Sequence, residues 1–393
     1  MTVVINPGRE GVTAASGFEA SGVAAGLKST GAPDVALVRN LGPRYDAAAV
    51  FTSNRVFAPS VGWTRAAVAD GQISAVVLNS GGANACTGEG GRSDTARTAV
   101  LVAEQLDCML TDVGVCSTGI IGVRLPMDKL EAGILAAAVA LDPSGGPAAA
   151  NAIITTDTHA KTVQAVGAGG YVIGGMAKGA GMLAPGLATM LVVITTDAEV
   201  DGSELDAALR QATHLTFDRA DSDGCMSTND TVLLLANGAS GVHPEAAEFT
   251  ETMTGVCADL ARQLIADAEG AEHEVAIDVQ GAATEDDALE VARAVARSNL
   301  FKCAIAGNDP NWGRVVSAVG TTKAAFEPEQ LDVSFNGVMV CAGGAIGADR
   351  SLVDLRPREV HVTIDLHAGA EQATIWTNDL THGYVSENAD YPT

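Results

Sequence analysis

A chain of 393 residues with a formal charge of −25 repels nucleic-acid phosphates and anionic membrane surfaces at long range, which excludes both as expected partners. Its 47% hydrophobic and only 4% aromatic content, with 44 glycines, suits helices packed closely on sheets through small side chains. The seven cysteines form no CxxC pair and the seven histidines no HExxH; the thiols read as small buried hydrophobes of a reducing compartment, and neither a disulfide frame nor a metal site is expected.

The N-terminus has no charged-then-apolar leader, and no run of ~18 apolar residues offers a membrane span, so the expected location is cytoplasmic. Short apolar runs bounded by Gly, Asn or Pro predict strands over residues 35–38, 48–51, 75–78 and 113–116. Apolar Ala96, Ala99, Val100, Ala103 and Leu106 recur at helical spacing, with Ser93 as the expected N-cap. A second helix is predicted over 127–141 after Pro126, and Pro143-Ser-Gly-Gly-Pro147 reads as a loop. Next come a strand over 190–194 and a helix over 203–214 with Leu205, Ala208, Leu209 and Ala212 on one face. A strand over 231–236 ends at Asn237-Gly238, and Pro244 opens a long helix whose Phe249, Met253, Val256, Leu260 and Leu264 face the core, with Gly270 beyond its end. Residues 274–279 read as a strand, and Thr284 with Asp287 as the cap of a helix to Arg297. Asn336-Gly337, between residues 332–335 and 338–341, is a type I′ hairpin signal, and 360–366 and 373–376 supply the last strands. The alternation of strand and helix, without repeats, gives a mixed α/β class.

The stretch Lys178-Gly-Ala-Gly-Met-Leu-Ala-Pro-Gly-Leu-Ala188-Thr189-Met190 places a Thr after a small-residue segment and at the head of an apolar strand. A Thr hydroxyl needs an adjacent base before it attacks a carbonyl, and a Thr that becomes a new N-terminus carries one in its own α-amine. That amine titrates near ~7.7–8.0, suited to proton transfer at neutral pH. Read on its own, the same stretch also fits a Gly/Pro-punctuated loop entering a core strand.

Other segments add to this. They are Asn79-Ser-Gly-Gly-Ala-Asn-Ala-Cys-Thr-Gly88, Cys116-Ser-Thr-Gly-Ile-Ile-Gly122, Thr155-Thr-Asp-Thr158, Lys178-Gly-Ala-Gly-Met182, Ala184-Pro185 and Leu187-Ala-Thr-Met-Leu191. Ser227-Thr-Asn-Asp-Thr231, Asp267-Ala-Glu-Gly270, Asp309-Pro-Asn-Trp-Gly-Arg314 and Tyr384-Val-Ser-Glu-Asn388 complete the series. In this order they resemble the ornithine acetyltransferase family, the bifunctional glutamate N-acetyltransferases of arginine biosynthesis, from residue 79 to the C-terminus.

The resemblance implies an α/β fold: a layered sandwich of the self-processing ornithine acetyltransferase and aminopeptidase type, in which Thr189 begins a central strand, with a smaller C-terminal α/β region from about residue 270. It implies cleavage between Ala188 and Thr189 into fragments 1–188 and 189–393, assembled as a heterotetramer of two each. Thr189 is the implied nucleophile, and Thr118 and Gly119 the implied oxyanion hole. Thr155, Lys178, Thr189, Glu269, Asn388 and Thr393 are the implied substrate-binding residues. Among them, Lys178 suits a substrate carboxylate and Glu269 the charged amine of ornithine. The implied reaction carries an acetyl group from N2-acetyl-L-ornithine to L-glutamate without metal or redox cofactor. Acetyl-CoA serves as a second donor only in bifunctional relatives. A rival reading from the same Thr is an amidase or aminopeptidase with water as acceptor. The family usually continues Asp-x-Glu-Gly with Ala-Thr-Lys, whereas Gly270 here is followed by Ala271-Glu272-His273, which replaces a cation beside the expected pocket. Relatives also carry a larger or polar residue at Gly186 and small polar residues at Cys225 and Met226.

Overall fold

The apolar runs of the sequence become strands covered on both faces. Leu191–Thr196 and Thr231–Ala236 are buried at every position, without the polar alternation of a half-exposed strand. They pair in parallel, Leu191 opposite Thr231, with the helix Gly202–Leu215 in the crossover. Around them runs a six-stranded sheet in the order Val4–Asn6, Lys161–Val166, Val172–Lys178, Leu191–Thr196, Thr231–Ala236, Asp46–Phe51. The computed structural model describes residues 4–6, 10–184 and 190–389. Its chain divides into two units, Met1–Asp218 with Cys225–Leu264, and Arg219–Gly224 with Ile265–Thr393.

The first unit is a helix–sheet–sheet–helix sandwich. Its second sheet holds Phe18–Val23, Val35–Asn40, Ala75–Asn79 and Val113–Ser117. Residue alternation divides each strand between two cores. Ala36, Val38, Val76 and Leu78 meet Ala47, Met176, Leu191, Val193, Leu233 and Leu235 of the other sheet, together with Ala149, Ala150 and Ile153. Val35, Leu37, Val77 and Val115 face outward onto Ala99 and Val102 of helix Gly88–Leu106 and Leu130 and Ile134 of helix Met127–Val139. Helix Ala246–Ala266 covers the outer face of the six-stranded sheet, where Gln263 Nε2 donates to the Thr162 carbonyl at 3.0 Å and the Phe249 and Tyr171 rings lie 5.9 Å apart.

Two elements differ from the sequence expectation. Helix Gly88–Leu106 starts after Thr87, so Ser93 lies inside it and caps nothing. Glycines 88, 90 and 91 resemble a loop, yet a Cβ at Gly91 would lie 1.8 Å from Thr87 Oγ1, so close packing demands the glycine there. Helix Gly146–Ile153 begins inside the expected loop, with Pro147 in its first turn, where a missing N–H costs nothing. The cysteines also divide. Cys116, Cys257 and Cys341 are buried as expected, but Cys86, Cys225 and Cys303 are exposed.

The second unit carries a sheet in the order Ala345–Ile346, Val338–Ala342, Asp332–Phe335, Glu359–Asp365, Glu274–Ala282, Glu371–Asn378. Asn336 and Gly337 both have positive φ, 46° and 81°, as the type I′ turn requires. Thr284 caps helix Glu285–Ala296 by accepting the Asp287 N–H at 3.1 Å. Val291 and Val295 of that helix, Phe301 of helix Asn299–Ala306 and Val315 of helix Trp312–Val319 pack on Val275, Ile277, Val362 and Ile364.

Candidate active site

Strand Val113–Ser117 ends at Thr118, where a second chain segment is knitted to it. The Thr118 N–H donates to the Asn79 carbonyl at 2.9 Å, and the Gly82 N–H returns to the Thr118 carbonyl at 3.0 Å. Gly119 follows at φ +130°, and a Cβ there would lie 2.8 Å from the Gly82 nitrogen, so the position admits only glycine. Its N–H has no acceptor among the described residues. Asn229 holds the two segments together, its Nδ2 donating to the Ala83 carbonyl at 2.7 Å and the Ser117 carbonyl at 2.8 Å.

Lys178 closes strand Val172–Lys178 and is only 2% exposed. Its Nζ reaches Thr118 Oγ1 at 3.4 Å and lies 4.0 Å from Asp157. Asp157 is the hub behind it. Its Oδ1 accepts from Lys161 Nζ at 2.7 Å and the Gly179 N–H at 2.6 Å, and its Oδ2 from the Thr155 N–H at 2.9 Å. Burial opposes ionisation of this carboxyl, but Lys178 and Lys161 outweigh it and hold the pKa well below the ordinary carboxylate value. Lys28, half-buried, donates to the Ile154 carbonyl at 2.8 Å. Burial lowers its pKa; Lys178 lowers it further, while Asp34 and Asp157 act in the opposite sense. An acidic protein thus keeps cations, Lys28, Lys161 and Lys178, gathered around Asp157, a setting for a substrate anion.

Lys178 pairs in register with Leu191, which puts Thr118 and Lys178 at the edge where the Leu191–Thr196 strand begins. Met190 is the first described residue there; Ala188 and Thr189 lie outside the described residues, as does Thr393. Among the described residues, the structure therefore brings together Thr118, Gly119, Lys178 and, through Asp157, Thr155.

Glu269 and Asn388 meet in the second unit, where Asn388 Nδ2 donates to Glu269 Oε2 at 2.9 Å. Gly270 adopts φ +63° and a Cβ on it would lie 2.1 Å from the Tyr384 nitrogen, while Thr381 Oγ1 donates to its carbonyl at 2.6 Å. This close approach seats the terminal helix His382–Ala389. At Glu272-His273, the imidazole of His273 is buried, its Nδ1 2.7 Å from Asp379 Oδ2 and its Nε2 2.9 Å from the Leu355 carbonyl.

Asp157, Lys161, Asn229 and Asp230 were not singled out from sequence. Asp157, Asn229 and Asp230 stand inside segments quoted for the family resemblance, which was the available signal; Lys161 had none. Among the described residues no cluster of His, Cys, Asp and Glu is arranged to hold a metal, and no helix is long and apolar enough to cross a membrane.

Residues 19–393 match the model of the ArgJ family. The arginine biosynthesis bifunctional protein ArgJ of Streptomyces avermitilis is 63% identical over 380 residues, 97% of this chain and 99% of that protein. The Mycobacterium leprae protein of the same name is 53% identical over 389 residues, 97% of this chain and 96% of its own length. Among solved structures, an ornithine acetyltransferase complexed with ornithine from Mycobacterium tuberculosis is 49% identical, covering 48% of this chain and 100% of that one, with a TM-score of 0.46.

Proposed function

Because the chain belongs to the ArgJ family of arginine-biosynthesis acyltransferases, we propose that it cuts itself between Ala188 and Thr189 and then carries an acetyl group from N2-acetyl-L-ornithine to L-glutamate on Thr189. In the cut, Thr189 Oγ attacks the Ala188 carbonyl, the peptide nitrogen leaves, and water hydrolyses the resulting ester. The new α-amine is then the base. In transfer it takes the Oγ proton as Oγ bonds to the acetyl carbon, and returns it to ornithine N2 as the amide bond breaks. The amine of glutamate attacks the acetyl-Thr189 ester, and Thr189 Oγ leaves and is reprotonated.

The observation that carries the reading is the contact between Lys178 Nζ and Thr118 Oγ1 at 3.4 Å. A hydroxyl has one proton and two lone pairs. Lys178 occupies a lone pair, so the Thr118 O–H remains to donate, beside a Gly119 N–H that is also without an acceptor among the described residues. Two such donors suit an oxyanion, each worth about 3–4 kcal/mol in the transition state. Thr155 and Lys178 contact the substrate in this reading. Glu269, Asn388 and Thr393 complete its recognition, with Glu269 taking the ornithine ammonium. The working particle is a heterotetramer of two fragments each in the cytoplasm, and acetyl-CoA is a second acetyl donor.

The test is the denatured intact mass followed by ornithine release with and without L-glutamate. Two species breaking at Ala188-Thr189, a Thr189→Ala chain that stays whole and inactive, and glutamate-dependent release are the expected results. Release at the same rate without glutamate makes the enzyme an amidase, and a Thr189→Ala variant with full activity overturns the covalent route.

A further inference from the structure

Asp230 immediately precedes strand Thr231–Ala236 and is fully buried. The parallel register that sets Thr231 opposite Leu191 puts Asp230 level with Met190, whose N–H donates to Asp230 Oδ1 at 3.1 Å. Oδ2 has no hydrogen-bond partner among the described residues. Ser227 and Thr52 lie beside the carboxyl group, but the Thr52 hydroxyl is donated to the Ser227 carbonyl at 2.7 Å. Burial, offset only in part by the Met190 amide, Ser227, Lys178 and Thr52, pushes the Asp230 pKa well above its ordinary value. A buried acceptor left without a donor costs about 1–3 kcal/mol, and folded proteins keep few of them. What this carboxyl group lacks is a cationic or N–H partner at Oδ2.

The Met190 nitrogen belongs to the peptide that joins it to Thr189. Covalent geometry alone keeps successive backbone nitrogens within about 3.7 Å of each other at any torsion angle. The Asp230 carboxyl group, hydrogen-bonded to one of this pair of nitrogens, therefore lies within about 7 Å of the other whatever the torsion angle. If the Ala188–Thr189 bond is cut as proposed above, that other nitrogen becomes an α-amine.

We infer that Asp230 is a positioning residue for this amine: its unpartnered oxygen accepts a hydrogen bond from the Thr189 α-amino group and fixes the rotation of the base about its Cα–N bond. The inference rests on the self-cleavage reading. Asp230 gains and loses no proton in the cycle. The proton passes from Thr189 Oγ to the amine and on to the leaving nitrogen, while Asp230 holds the lone pair toward Oγ. The uncut chain carries a buried acid with one oxygen lacking a donor, and the cut supplies one. The same amine serves both half-reactions, so a positioning defect slows both.

The experiment is Asp230→Asn in the full-length chain. Asparagine keeps an acceptor for the Met190 N–H but removes the charge, so the fold is retained. Its denatured mass is expected to show the cut, and kcat/KM for N2-acetyl-L-ornithine and for L-glutamate to fall by the same factor, about tenfold or more. The acid limb of kcat/KM, which reports the base of the free enzyme, is expected to move down by about half a pH unit or more because the amine loses its counter-charge. Asp230→Ser, which adds no bulk, is the second variant if Asn does not fold, and the same shift is expected. A folded, cut variant whose acid limb stays in place overturns the inference alone, even if its activity drops. A wild-type chain that never cuts removes the amine, and the self-cleavage reading falls with the inference.

Discussion

The Asp157 carboxylate gathers Lys161, Lys178 and the amides of Thr155 and Gly179 around a side chain with no exposed surface. Asparagine is the same size but leaves two buried ammonium groups without that charge, a loss of about 3–5 kcal/mol when one partner of a buried pair is removed. The pH dependence has a definite sign. The folded pKa of Asp157 is depressed, so its stabilisation is fully present above the unfolded value of about 3.9 and is lost as pH falls toward the folded one. Urea midpoints of wild type and Asp157→Asn should therefore stand far apart at neutral pH and draw together as pH falls from about 5 to 3. A gap that does not change over that range removes the ion pairs as its cause. This hub also marks the limit of the sequence reading. Lys178, Thr155 and Thr118 belong to motifs, but only the crossing of separate strands makes one carboxylate hold Thr155 and Lys178 together. Similarly, no local signal announces the buried contacts of His273, because its partners, Asp379 and the Leu355 carbonyl, are distant in sequence.

Elements with a local cause were legible. The Thr284 cap, the Asn336-Gly337 turn and strand Thr231–Ala236 follow from a side-chain acceptor, two positive φ values and an unbroken apolar run. Residues 88–93 of helix Gly88–Leu106 and all of helix Gly146–Ile153 were not, because their glycines are set by what lies against them; a Cβ on Gly146 would meet the Glu10 carbonyl at 1.8 Å. Gly270 is the position where this kind of contact bears on the substrate recognition proposed for Glu269 and Asn388. Alanine there incurs about 1–2 kcal/mol for the left-handed conformation and its Cβ strikes the backbone at Tyr384. The relief available is a shift of helix His382–Ala389, which carries Asn388 away from Glu269. Gly270→Ala should raise KM for N2-acetyl-L-ornithine about tenfold with kcat little changed, the pattern of lost ground-state binding. Steady-state kinetics at fixed glutamate make the check, and an unchanged KM separates the terminal helix from substrate recognition.

At the scale of the molecule, the proposed cut falls between two strands that cannot come apart by simple separation of the halves. Fragment 189–393 supplies Leu191–Thr196 and Thr231–Ala236, the fourth and fifth strands of the six-stranded sheet. On one side, residues 191–196 pair with residues 173–178; on the other, residues 231–236 pair with residues 46–51, and both flanking strands belong to fragment 1–188. Leu191, Val193, Leu233 and Leu235 are buried in a core shared with Ala36, Val38, Val76 and Leu78 of the other fragment. Full burial of such a side chain contributes about 1.5–3 kcal/mol, so these four alone supply on the order of 6–12 kcal/mol of association. Dissociation would also expose the backbone groups along both seams, which have no other partners. The cut protein should therefore migrate as one species in size exclusion and native mass spectrometry, at the mass of paired fragments or their heterotetramer. It should resolve into two chains only at denaturant concentrations that also abolish the far-UV circular dichroism signal. Fragments that separate in native buffer would mean that the strand after Thr189 does not lie between strands of its other half in the cut enzyme. The same interleaving would keep the sheet whole through the proposed cut, since one peptide bond there contributes little to holding it together.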